Sequence, residues 1–194
     1  MPRQVLYFFA FASPYAALAD ARIDDLVADA GAELVPIAIA PSLPPPQGLA
    51  ATLRQFRLAF MREDCERCAA DLGLAWSFPW GDGSPTDNVP ASAGWHFARE
   101  RGKERGYRNA VFRARASKGR DIADPEVLAD CAAEAGLDRA ELLEALRSRR
   151  YLDEVPKTLP LCMEHRCFGV PFFAVDGKQF WGHDRLEHLR RELA

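Results

Sequence analysis

A serine followed by a proline at the end of an apolar run, Ser13-Pro14, is the segment of this chain best suited to chemistry. Serine is a favoured residue just ahead of a helix and proline a favoured first helical residue, so the pair predicts a helix start. Ser13 then has two readings. As a cap, its oxygen satisfies an amide that the first helical turn leaves without a partner. As an anion site, its hydroxyl, the free amides and the helix dipole all favour a negative group, and a hydroxyl donating to a thiolate lowers the pKa of a bound thiol. Ser13 carries no sulfur, so the sulfur has to belong to a ligand.

The five cysteines are Cys65, Cys68, Cys131, Cys162 and Cys167. Cys65 and Cys68 fall inside a predicted helix, and Cys162, His165 and Cys167 cluster near the end of another. The second group fits no common zinc-finger spacing, and a helical cysteine is usually a small core residue, so no metal is expected. An odd number of cysteines in a chain of 194 residues, which needs no staples to bury a core, points to free thiols in a reducing compartment, the cytoplasm. Arg57 lies on a charged helix and reads as a surface cation. Asp184 with Glu187 three residues later reads as a capping box for the last helix, a role compatible with ligand binding.

The elements that must position these groups follow from the apolar pattern. Residues 4–11 form a short continuous apolar run rich in aromatics, as expected of a strand buried on both faces. The helix opened by Ser13-Pro14 carries Leu18, Ile23, Leu26 and Val27 on one stripe and ends at Gly31. Residues 33–40 form a second strand, and Pro36 inside it favours an edge or a bulge, because proline cannot donate to a ladder. A Pro-rich stretch, residues 41–46, follows.

From residue 49 to about 167 the signals are helical. A helix over 49–72 is closed by Gly73, a looser passage covers 76–90, and helical runs cover 91–116. Asp124-Pro125 starts a helix ending near Gly136, Asp138 with Glu141 starts the next, and a last one runs through Leu161 to stop at Gly169. Residues 172–175, Asp176-Gly177 and residues 178–181 read as a hairpin with a type I′ turn, and a helix over about 184–193 closes the chain. The order is βαβ, a helical block too long to be a loop, then ββα.

The composition excludes several classes of function. A net charge of −3 and a pI near 5.8 give no phosphate-binding field, so nucleic acid is not an expected partner, and the basic run over 99–108 reads as solvated helix faces. No apolar run reaches the roughly 18 residues of a membrane helix. Residues 5–12 superficially resemble a signal core, but Ser13-Pro14 then opens a helix with no polar residue before Asp20.

Taken in order, Phe8-Phe9-Ala10-Phe11-Ala12-Ser13-Pro14-Tyr15, then Gly119-Arg120-Asp121-Ile122-Ala123-Asp124-Pro125-Glu126-Val127-Leu128, Phe168-Gly169-Val170-Pro171, Val175-Asp176-Gly177 and Phe180-Trp181-Gly182-His183-Asp184-Arg185-Leu186 resemble one branch of the thioredoxin superfamily. That branch contains the DsbA proteins, the kappa-class glutathione transferases and, most similar in these motifs, the 2-hydroxychromene-2-carboxylate isomerases. The resemblance implies an α/β class chain, a single thioredoxin-like domain over 1–194, with a large all-helical insertion at about 48–153 between the βαβ and ββα halves. It also implies glutathione as cofactor and a homodimer that meets neither nucleic acid nor membrane.

By the same resemblance Ser13 is the catalytic residue that activates the thiol, and the Val170-Pro171 bond is cis. The backbone of Val170 pairs with the cysteinyl part of glutathione like an added strand. His183 and Asp184 meet the γ-glutamyl part, Arg57 stands where the family has a lysine that holds a carboxylate, and Asn88 matches an asparagine near the acceptor. DsbA-like relatives carry Cys-x-x-Cys where this chain has Ser13 and Ala16, so thiol–disulfide exchange at this position is excluded. Other departures are Ala10 where the family often has Asp, the changed residues at Arg57 and Phe60, and a missing Asn ahead of the first insertion helix.

The implied reaction interconverts a 2-hydroxychromene-2-carboxylate-type compound and a trans-o-hydroxybenzylidenepyruvate-type ketoacid by reversible thiolate addition. Trp76, Phe78, Trp80, Trp95 and Trp181 are the candidate flat walls for such an aromatic acceptor. A kappa-like transferase or peroxidase, in which glutathione is consumed, and a non-catalytic glutathione-binding protein are the alternatives.

Overall fold

The computed structural model describes residues 2–40, 48–80 and 86–194. Strand β1 (Gln4–Phe9) is the centre of the molecule, paired in parallel with β2 (Glu33–Ala38) and antiparallel with β3 (Phe172–Val175). Being flanked on both sides and both faces, it has to be apolar from Val5 onward, after the exposed Gln4. Val5, Tyr7 and Phe9, with Phe11 just beyond, point into the main core, while Phe8 and Ala10 face a smaller cluster with Phe172 and Cys162. This is the two-residue alternation of a strand. β2 lies at an edge of the sheet, where Pro36, opposite Tyr7, costs no outer ladder bond.

Helix α1 (Pro14–Asp29) crosses from β1 to β2 with Ser13 as its cap and Pro14 in the first turn. β3 and β4 (Lys178–Trp181) form the expected hairpin, with Asp176 and Gly177 at φ of 49° and 78° as a type I′ turn requires. The sheet order is β2-β1-β3-β4. Between β2 and β3 the described residues hold no strand. They form α2 (Leu49–Asp71), α3 (Val89–Glu100), α4 (Glu104–Phe112) with a π-helical turn (Arg113–Ser117), α5 (Pro125–Glu134), α6 (Arg139–Arg147), α7 (Arg149–Leu152) and α8 (Leu159–Glu164). A last helix, α9 (Leu186–Leu193), follows β4. With a βαβ half first and a ββα half last around one mixed sheet, this is a thioredoxin-like fold. No helix among the described residues is long and apolar enough to cross a membrane.

Aromatic contacts fix the helical block to one face of the sheet. The Phe9 ring meets Trp95 of α3 edge-on at 6.0 Å and Phe112 of α4 at 5.7 Å. Helix starts fall where the caps predict: Asp124 accepts from the Glu126 amide and Asp138 from that of Glu141, each at 2.9 Å.

Three expectations are corrected. The helix expected to reach Gly169 stops at Glu164, because Cys167 and Arg166 donate back to the carbonyls of Cys162 and Met163, at 2.8 and 3.1 Å, in a Schellman turn. The turn's left-handed position is occupied by Arg166 at φ 53° rather than by a glycine, so no sequence signal marked it. The capping box at the last helix does not form. A 3-10 turn (His183–Arg185) precedes α9, and the Asp184 side chain caps neither element. In the basic run, Arg108 is buried, with Nε 2.6 Å from Asp20 and Nη2 2.6 Å from Asp24 of α1. A guanidinium placed between two carboxylates of a neighbouring helix is an interior clamp between α1 and α4 rather than a solvated face.

Candidate functional site

Three chain segments converge where β1 ends and α1 begins. Ser13, half-buried, has the extended backbone of a helix cap (φ −87°, ψ 120°), and its Oγ accepts from the Ala16 amide at 3.2 Å. The same hydroxyl donates to the carbonyl of Val170 at 3.5 Å. Val170 precedes Pro171, and the bond between them is cis. Thus the two segments, separated by 157 positions, meet through a side chain and a backbone.

The loop carrying Ser13 is held from behind by Asn88. Its Oδ1 accepts from the Ala12 amide at 3.2 Å and its Nδ2 donates to the Ile39 carbonyl at 2.9 Å. Buried and bonded on both ends, Asn88 ties the β1–α1 loop to the end of β2, which is a positioning role beside Ser13. Gly182 at φ 109° turns the chain out of β4 so that His183 and Asp184 follow at once. A Cβ at Gly182 would meet Asp184 Oδ1, which a turn of that exposed carboxylate relieves, so it is the positive φ that favours glycine there.

A cavity of about 410 Å3 opens between these segments and α2. Val170, Pro171, His183 and Asp184, all expected from the resemblance, line it. Tyr15, Asp64, Cys68, Trp181, Gly182 and Arg185 complete the wall, and of these only Trp181 was assigned a place in the pocket from the sequence. The Tyr15 hydroxyl donates to Asp64 Oδ2 at 2.9 Å, and the Tyr15 and His183 rings stack at 5.2 Å with 10° between their planes. Arg185 pairs with Asp184 at 3.4 Å and brings a cation into the wall.

Electrostatics follow from this packing. Burial holds the His183 imidazole below its ordinary pKa, so the ring is neutral at pH 7. Burial, reinforced by the hydrogen bond to Asp64, raises the Tyr15 phenol, and burial raises the Cys68 thiol, so both stay protonated at neutral pH. At the head of α1, Pro14 has no amide hydrogen, and Ala16 and Ala17 donate to Ser13 Oγ and O. This leaves the Tyr15 amide as the one first-turn donor with no partner among the described residues. The amide of Val170 likewise has none.

Two expectations fall elsewhere. Arg57 is exposed on α2, outside the cavity wall, seven positions or about 10 Å of helix ahead of Asp64. Of the five aromatic residues expected as walls, Trp181 alone lines the cavity. Trp95 is buried in the core, while Trp76, Phe78 and Trp80 pack on one another elsewhere, with ring separations of 5.6 and 4.9 Å.

Residues 4–194 match the profile of the DSBA-like thioredoxin domain. A 2-hydroxychromene-2-carboxylate isomerase of Sphingobium xenophagum is 28% identical over 197 residues, covering 100% of this chain and 99% of that protein. The solved structure of a 2-hydroxychromene-2-carboxylate isomerase superposes with a TM-score of 0.80 at 24% identity, covering 98% of this chain and 94% of that one. A cytosolic disulfide reductase, DsbM of Pseudomonas aeruginosa, in a structure with GSH, superposes with a TM-score of 0.69 at 18% identity, covering 98% and 96%.

Proposed function

We propose a function for this chain on the premise that it belongs to the DSBA-like thioredoxin domain family: it is a glutathione-dependent isomerase acting on 2-hydroxychromene-2-carboxylate-type compounds and the corresponding trans ketoacids. The observation that carries the reading is the Ser13 hydroxyl, set at the head of α1 and 3.5 Å from the Val170 carbonyl, in a chain with no cysteine at position 13 or 16. A site of this family with no sulfur of its own at the head of α1 is suited to a sulfur brought there by a ligand. The full-length isomerase relative of Sphingobium xenophagum supports the choice of reaction.

The residues fit glutathione. The unpartnered amide of Val170 and its carbonyl, held only by a long contact, offer the donor and acceptor that an extended peptide needs to pair like a strand. His183 and Asp184 offer polar groups for the γ-glutamyl end, and Arg185, already in the cavity wall, is a nearer cation for a carboxylate than Arg57.

Once the hemiketal ring has opened to the cis ketoacid, bound glutathione would supply a thiolate that adds to the conjugated double bond, leaves a single bond free to rotate, and departs unchanged. Ser13 holds that charge by turning its one hydroxyl hydrogen from the Val170 carbonyl to the sulfur, and the Tyr15 amide and helix dipole add to it. Asn88 fixes the loop so that the hydroxyl is aimed before the ligand arrives. Trp181, 53% exposed and backed by the Phe168 ring at 4.9 Å, is the flat apolar wall for a planar acceptor.

The test is conversion of 2-hydroxychromene-2-carboxylate to the trans ketoacid with and without glutathione, following both compounds. The reading predicts turnover that requires glutathione and leaves its concentration unchanged. Net consumption of glutathione identifies a transferase instead, and absence of turnover at saturating glutathione contradicts the reading.

A further inference from the structure

We propose that Asp64, Cys68 and His183 form a binding site for a zinc ion inside the cavity. No metal was expected from the sequence, because Cys65 and Cys68 lie inside a helix, where cysteine is usually a small core residue, and Cys162, His165 and Cys167 fit no common zinc-finger spacing. The fold assembles a different set: one ligand atom each from the Asp64 carboxylate, the Cys68 sulfur and the His183 ring, all within 4.8 Å of one another. Around a tetrahedral zinc, with bonds of about 2.0–2.3 Å, such atoms lie roughly 3.3–3.7 Å apart, so small side-chain rotations close the site.

Two segments build it. Asp64 and Cys68 are four positions apart on α2 and therefore share one face, and His183 reaches them from the turn after β4. The ligands are held by neighbours of the kind that metal sites use. Tyr15 donates to Asp64 Oδ2 at 2.9 Å, Arg67 donates to Oδ1 at 3.2 Å, and the stacked Tyr15 ring fixes the plane of His183. One sulfur, one nitrogen and one oxygen donor suit zinc and exclude magnesium and calcium, which take oxygen ligands. Binding exchanges the Cys68 thiol hydrogen for the metal, so the zinc–sulfur bond forms as the S–H bond breaks and one proton leaves to solvent. With three protein ligands and the cavity in front, the fourth position faces open space.

Metal binding stands on this geometry alone. One consequence rests on the proposed function: a zinc ion on His183 lies in the cavity that the γ-glutamyl end of glutathione would enter, so the two ligands compete.

The experiment titrates the full chain with cobalt(II), the spectroscopic stand-in for zinc. The expected result is a sulfur-to-cobalt charge-transfer band saturating at one equivalent and bleached by zinc. Cys68→Ser abolishes the band and Cys65→Ala retains it, with circular dichroism showing both variants folded. Tyr15→Phe, which removes only the donor to Asp64, weakens cobalt binding by about tenfold or more. Should Cys68→Ser fail to fold, His183→Gln takes its place, and loss of the tetrahedral visible bands is expected. No charge-transfer band with the unaltered chain, or a band that persists in Cys68→Ser, overturns the metal site. S-methylglutathione, which has no thiol to chelate cobalt, separates the two readings: weakened cobalt binding in its presence supports both. Unchanged cobalt binding upholds the metal site and counts against glutathione at His183.

Discussion

The Ser13 hydroxyl oxygen lies 3.5 Å from the Val170 carbonyl, long for an O–H···O bond, so redirecting its hydrogen to a sulfur forfeits little. That economy depends on Asn88, whose amide joins Ala12 to Ile39. Asn88→Ala leaves a half-buried amide and a buried carbonyl without their side-chain partner, the carbonyl alone worth about 1–3 kcal/mol, so urea unfolding is expected at a clearly lower midpoint, with weakened glutathione binding. A variant with unchanged stability would mean that water replaces the side chain. Arg185 and Arg57 make a second test. Arg185→Gln is expected to weaken glutathione binding about tenfold, the worth of one charge-assisted hydrogen bond, whereas Arg57→Gln leaves it unchanged by calorimetry. The opposite ranking restores Arg57 to the site. Ser13, Val170, His183 and Asp184 were legible because each belongs to a short contiguous motif. The part that Asp64 and Cys68 play in the wall was not, since no local pattern reveals that α2 packs against the turn after β4, and Tyr15 and Arg185, although inside those motifs, carried no local sign that they line the cavity.

Among the elements, the contact between α1 and α4 rests on a buried charge cluster. Burial pushes the Asp20 carboxyl up to about 6 from an ordinary 3.8, against the pull of Arg108, while Asp24, Arg105 and Tyr7 also face it. Because the native state holds this proton more tightly than the unfolded chain, Asp20 contributes stability that is present at acid pH and lost as the pH rises through the folded value. Arg108 offsets that loss at neutral pH. Arg108→Met is expected to cost about 3–5 kcal/mol at pH 7, since breaking a buried pair strands the carboxylates. Part of the loss should return on acidification to about pH 5, where Asp20 becomes neutral. Urea midpoints at the two pH values check this, and a deficit independent of pH would contradict it. Strands, caps and the hairpin were readable here because their signals are local. The burial of Arg108 was not, because a basic run has the same letters whether it faces water or two carboxylates. The end of α8 escaped because an arginine occupies the left-handed turn position that glycine usually marks.

At the scale of the whole molecule, the sheet supplies a fixed platform and the helical block closes one side of the cavity, so the ligand site exists only in the folded chain. Glutathione should therefore raise the melting temperature, by about 2.7 kcal/mol of stability at one hundred times its Kd. The order of motifs along the chain made the thioredoxin-like fold legible, whereas the cavity wall needed the docking of α2. The central claim is that Ser13 holds a ligand's thiolate, and a cap alone would behave differently. Loss of the cap in Ser13→Ala costs about 1 kcal/mol of stability and leaves the ligand's chemistry alone. Loss of a donor to the thiolate removes about 1.5–3 kcal/mol from the charged form, so the pKa of bound glutathione rises by about one to two pH units. The deciding measurement is the ultraviolet absorbance of the glutathione thiolate, bound to the unaltered chain and to Ser13→Ala, as a function of pH. The account predicts a titration displaced to higher pH in the variant while the fold persists, and superimposable curves would contradict it.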